Sequence, residues 1–190
     1  MFTSSLRSRT FSFLSICLWS LFIANGAITH AQVRAYVTNF CNNTVAVIDT
    51  STNTIIINVL VGSAPGTPAL TPDGSRVYVT NRGDGTVSVI DTATNTVVST
   101  IPVVPLPAGL AITPDGTRVY VSGDGGISII DTSTNTVIDT IPDNLGPRLL
   151  AVTNDGTRVY VANGEGNVSN TVSVIDTATN TLIATIPVGI

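Results

Sequence analysis

The chain has 190 residues, 43% of them hydrophobic, and its eight basic residues are all arginine, set against twelve carboxylates, a single histidine and two cysteines. That length suits one domain able to bury a core. The acidic, lysine-free balance argues against nucleic acid, whose phosphates are held chiefly by cations.

Residues 1–31 differ from the rest. Arg7 and Arg9 precede an apolar run from Phe11 to Ile23, and Thr29-His30-Ala31 offers small residues where a signal peptidase reads, so cleavage is expected before Gln32. The run is too short to span a bilayer comfortably, although an uncleaved anchor is the alternative. Cys17 is a poor lipoprotein site because the bulky Ile16 precedes it. Without the leader the chain retains no His, Trp or Met, holds Cys41 as its one thiol, and carries six arginines against twelve acids, a formal −6. A Ser-His-Asp or Cys-His relay cannot then be built, and His-ligated zinc, copper or haem is excluded. Neither a Schiff-base lysine nor an internal disulfide is available. The reading expects no cofactor, no metal and no catalytic residue.

The mature chain is a repeat. Tyr36, Tyr78, Tyr120 and Tyr160 each open a Y-V-[TSA]-[NG] strand, at spacings of 42, 42 and 40, and an I-D-T motif follows with its aspartate at 49, 91, 131 and 176. From each of the first three aspartates to the next tyrosine the count is always 29, so all length variation sits in the loop after the tyrosine strand. Alternation such as Val77, Val79 and then Val87, Val89 is the period of strands. Between repeats a further strand ends in Thr71-Pro72-Asp73-Gly74, Thr113-Pro114-Asp115-Gly116 or Thr153-Asn154-Asp155-Gly156, all type I turn chemistry. Four short antiparallel strands in about 42 residues make one propeller blade. Blades are expected at about 33–61, 67–103, 108–142 and 148–188, with the first lacking its inner strand, and the four tyrosines are expected to pack between them.

These linked motifs, Y-V-T-N, V-S-V-I-D-T-A-T-N-T and T-P-D-G-[ST]-R-V-Y, resemble the YVTN family of β-propeller repeats over essentially everything after residue 33. The resemblance implies an all-β propeller that is secreted, periplasmic or on the cell surface, often with seven blades, and it implies no particular activity. About four blades are half of such a ring. A partial reading frame, a four-bladed ring and two chains sharing one ring all fit, and open blade faces would invite self-association.

Because strands alternate in direction, the T-P-D-G and D-T-x-T-N-T turns emerge on one face of the ring and are expected to be structural, Asp49, Asp91, Asp131 and Asp176 included. The opposite face varies from blade to blade, and varied loops on a rigid scaffold are where binding residues gather. Arg82, Asp84, Asp124, Arg148 and Glu165 are the candidates there. The expectation is an extracytoplasmic binding or scaffold module that presents these loops to a protein, a glycan or a small ligand. Two alternatives stand beside it: an enzyme of lactonase-like or quinoprotein-like propeller type, and single-stranded DNA binding.

Overall fold

The computed structural model describes residues 33–164 and 170–189, so the expected leader and Glu165 lie outside the described residues. Fifteen strands run in chain order there: β1 (Arg34–Asn39), β2 (Thr44–Asp49), β3 (Thr54–Leu60), β4 (Pro65–Leu70), β5 (Arg76–Asn81), β6 (Thr86–Asp91), β7 (Thr96–Pro102), β8 (Leu110–Ile112), β9 (Arg118–Gly123), β10 (Gly126–Asp131), β11 (Thr136–Pro142), β12 (Pro147–Val152), β13 (Arg158–Asn163), β14 (Thr171–Asp176) and β15 (Thr181–Pro187). They form four antiparallel meanders, β1-β2-β3, β4 to β7, β8 to β11 and β12 to β15, each in sequence order. The first sheet has three strands and each of the other three has four.

Turn chemistry sets the register. Asn53, Asn95, Asn135 and Asn180 hold the left-handed φ of the D-T-x-T-N-T turns at 56°, 54°, 54° and 54°, a conformation asparagine tolerates better than most residues. In the other turn, Gly74, Gly116 and Gly156 each donate a backbone bond of 2.8 Å to Thr71, Thr113 and Thr153. The third copy, with Asn154 for proline, closes identically, so the Asp-Gly pair governs this turn.

Two features exceed what alternation predicts. Strand β8 is only three residues long, because Pro105 and Pro107 just before it have no amide to add to a ladder. In every blade the outer pair also carries a bulge, at Val47/Ile48, Val89/Ile90, Ile129/Ile130 and Val174/Ile175. Bulges increase local twist, which suits sheets that fan out from a centre.

The core lies between blades. Val45, Val47 and Val59 meet Val77, Val79 and Ile90 across the first gap. Across the second, Tyr78, Val87, Val89 and Ile101 meet Leu110, Val119, Val121 and Ile130. Tyr120, Ile127, Ile129 and Ile141 meet Val159, Val161 and Ile175 across the third. Each inner blade is therefore apolar on both faces. The tyrosines correct the uniform expectation: Tyr78 and Tyr120 are fully buried, Tyr36 is half-buried and Tyr160 is 41% exposed. The sequence position is the same in all four, but no blade among the described residues covers the far side of β13.

Near the centre, successive innermost strands touch, and at Gly109 a Cβ would meet the Arg148 carbonyl oxygen and approach Leu149 Cα to 3.1 Å. Gly109→Ala should thus force β8 from β12 and cost about 1–3 kcal/mol by overpacking. Ile129→Ala should cost about 2–5 kcal/mol, as a cavity between two blades. Urea unfolding followed by circular dichroism measures both.

Candidate binding faces

The turn face is built from aspartates whose carboxylates are spent on their own turns. Asp73 Oδ1 accepts from the Thr71 hydroxyl (2.6 Å) and from the amide (3.0 Å) and hydroxyl (2.9 Å) of Ser75. Asp115 is bound likewise by Thr113 (2.5 Å) and the Thr117 amide (3.0 Å), and Asp155 by Thr153 (2.5 Å) and the Thr157 amide (3.0 Å). Donation to the charged form favours it. The Thr71 hydroxyl, then the Ser75 amide and hydroxyl, draw the carboxyl of Asp73 down to about 2, and Thr153 followed by Thr157 does the same to Asp155. Asp115 is lowered chiefly by the Thr113 hydroxyl. In the second set of turns, Asp49 and Asp131 are lowered first by the hydroxyls of Ser51 and Ser133, and Asp91 and Asp176 first by the amides of Thr94 and Thr179.

Between neighbouring turns lie two open clefts of about 400 and 500 Å3. Thr71, Asp73, Arg76, Asp115 and Thr132 line the first, and the second repeats it one blade on with Thr113, Asp115, Arg118, Asp155 and Thr177. The repetition marks them as gaps of the architecture. Among the described residues no three His, Cys, Asp or Glu side chains are placed to hold a metal ion.

The opposite face carries loops that differ but are pinned. In the β5–β6 loop, the amides of Arg82 and Gly83 donate to the carbonyls of Ala64 and Ser63 at 3.0 and 2.9 Å, and Asp84 Oδ2 accepts from the Ser63 amide at 2.7 Å. Gly62 permits this closeness, since a Cβ there would come within 2.6 Å of Asn81 Cγ and 2.7 Å of Asp84 Oδ2. Asp84 is thereby a clamp as well as a surface charge. The Asp124 amide donates to the Pro105 carbonyl at 2.7 Å, and its side chain is exposed. Arg148 is half-buried on the innermost strand β12, where its carbonyl accepts a short bond from Ser122 Oγ. Arg82 and Asp84 thus share one loop, while Asp124 and Arg148 ride on the next two blades.

Further residues on this face stand outside the sequence candidates. Asn81 and Asn163 end β5 and β13; each donates its side-chain amide to two hydroxyls, Thr86 and Ser88 or Thr171 and Ser173. Their Oδ1 atoms are buried and have no partner. Asp143 is buried and linked to Asn163 through Ser173, accepting from Ser173 Oγ at 3.0 Å and from the Leu145 amide at 2.9 Å. The asparagine ending Y-V-x-N was the available signal, but the motif reads equally as a strand end.

Solved structures place the fold. Hydrazine synthase of Kuenenia stuttgartiensis is similar with a TM-score of 0.79 and 28% identity, over 82% of this chain and 46% of that one. A functionally unknown protein from Desulfotomaculum acetoxidans DSM 771 is similar with a TM-score of 0.68 and 18% identity, over 82% of this chain and 54% of that one. The chain spans about half the length of both. With four antiparallel sheets packed face to face, the likeness makes this an all-β propeller fold. No protein-family model and no curated protein matches the chain.

The depressed aspartates predict acid sensitivity. Their folded-state values lie below the unfolded reference of about 3.9, so the stability they contribute is complete above that value and is lost as pH falls through the folded values, near 2 for Asp73 and Asp155. Unfolding midpoints should be flat from neutrality to about pH 4 and then drop steeply. Thr153→Ala should raise the titration of Asp155 and leave that of Asp73 unchanged, as read by carboxyl NMR.

Proposed function

We propose that the chain is an extracytoplasmic propeller of YVTN type that serves as a binding or scaffold module and offers its variable-loop face to a protein, glycan or small ligand. The observation that carries this reading is the pinning of that face: Arg82, Gly83 and Asp124 are tied through their amides to the loops between blades, and the Gly164 amide donates to the Gly146 carbonyl at 3.1 Å. Varied side chains on such loops form a surface preformed for recognition, which lowers the ordering cost of binding. The turn face, by contrast, repeats one chemistry and commits its carboxylates internally. Arg82, Asp124 and Arg148 are the contacts this reading assigns, with Glu165 beside them in sequence order and Asp84 holding the loop.

The leader makes a separate prediction. Amino-terminal sequencing of the exported chain should begin at Gln32, and a cytoplasmic chain retaining Met1 would oppose the placement. For the face itself, glycan and peptide arrays probed with wild type should give hits that Arg82→Glu with Asp124→Lys weakens about tenfold or more. Asp115→Asn on the turn face should leave those hits intact. Hits abolished by Asp115→Asn alone would move the binding surface to the other side of the ring.

A further inference from the structure

The blades of this chain recognise one another through a repeated pair of surfaces. One surface offers donors: Tyr78 Oη gives a bond of 2.7 Å to Asn135 Oδ1, and Tyr120 Oη one of 3.0 Å to Asn180 Oδ1. Arg34 Nη1 reaches the Thr92 carbonyl at 2.6 Å and Asn95 Oδ1 at 3.3 Å, and Arg118 Nη1 reaches Thr177 and Asn180 in the same way at 2.6 and 3.4 Å. The other surface offers acceptors: the left-handed asparagine of the next blade's D-T-x-T-N-T turn at all three gaps, joined by that turn's threonine carbonyl at the first and third. Each gap thus joins a donor face to an Asn face over buried apolar side chains, with Arg34 donating at the first, Tyr78 at the second and both Arg118 and Tyr120 at the third.

Both surfaces recur on the outer sides of the first and fourth described blades, which no other described blade covers. On the fourth blade, Arg158 and Tyr160 occupy the donor positions, but Arg158 Nη1 folds back onto Asp176 Oδ2 of its own blade at 2.5 Å. That pair is partly exposed and worth little, so it yields readily to a better partner. Around it Leu149, Tyr160 and Ile186 are 64%, 41% and 43% exposed, where Tyr78, Tyr120, Ile101 and Ile141 are buried. On the first blade, Thr50 and Asn53 hold the acceptor positions, and Val37 and Ile55 are 45% and 59% exposed where Val79 is buried.

We propose that these two faces bind each other between copies of the chain, the fourth blade of one against the first blade of the next, with Tyr160 and Arg158 bonding Asn53 and the Thr50 carbonyl. Chemistry dictates the head-to-tail sense. Two fourth-blade faces would oppose arginine to arginine and donor to donor, and two first-blade faces would leave acceptors against acceptors. A heterologous contact of this kind closes into a ring or continues as a filament, according to the rotation it imposes. The inference stands apart from the ligand reading, since it uses the sides of the stack and none of the variable loops.

The test uses the chain from Gln32 onward and two variants of it, Ile55→Arg on the first face and Tyr160→Arg on the fourth, with masses measured by sedimentation equilibrium. Wild type should show a dimer or a larger species at concentrations up to about 100 μM, and each variant alone should be a monomer, because every contact would include one altered face. Mixing the variants should restore a dimer and nothing larger, since one copy keeps an intact first blade and the other an intact fourth blade. Monomeric wild type, undiminished association of either variant alone, or a mixture that stays monomeric would each overturn the proposal. Both residues are exposed and circular dichroism checks that the variants fold; Ile186→Arg replaces Tyr160→Arg if that chain does not.

Discussion

The structure depends on burying both faces of each sheet against a neighbour. A meander with one apolar face can lie over a core and meet water on the other side, but Val77, Val79 and Ile90 point one way from the second blade while Tyr78, Val87 and Val89 point the other. Such a sheet is unstable alone, and each fully buried branched side chain contributes about 1.5–3 kcal/mol only if a second blade covers it. Stacking is thus the condition for each blade to persist. The inter-blade hydrogen bonds from tyrosine and arginine add direction to that non-directional drive, fixing which face meets which.

The same economy of residues explains the electrostatics. The chain has few charges for its length, and on the turn face most are committed locally: aspartates to hydroxyls and amides within their own turns, Arg34 and Arg118 to carbonyls on the neighbouring blade. A carboxylate whose charged form is held by short local bonds is a weaker base than a free one. The opposite face differs: Arg82 and Asp124 sit there on loops whose backbones are held but whose side chains change from blade to blade.

Much of this is legible in the residues. Strand number and order follow from alternation and from turns that declare themselves by Asp-Gly and by Asp-Thr-x-Thr-Asn, so the four meanders are evident before any coordinates. The bulges are not, because an extra residue such as Val98 in an outer strand leaves the apolar pattern looking continuous. Tyrosine packing is legible as a type, yet its partner is not: Asn135 lies 57 residues beyond Tyr78 and reads on its own as a turn residue. On the variable-loop face, the loops stand out by variation, whereas the clamp between Asp84 and Ser63 and the buried carbonyls of Asn81 and Asn163 depend on close approaches that no local pattern announces.

The dependence of each blade on its neighbours is tested most directly by native-state hydrogen exchange on dilute protein. The account predicts that amides of β5, β6, β9 and β10, between two covered faces, exchange last, while those of β1 and of β13 to β15, each with one face that no described blade covers, exchange earlier. Equal protection across all four blades, or slowest exchange in the end blades, would contradict it.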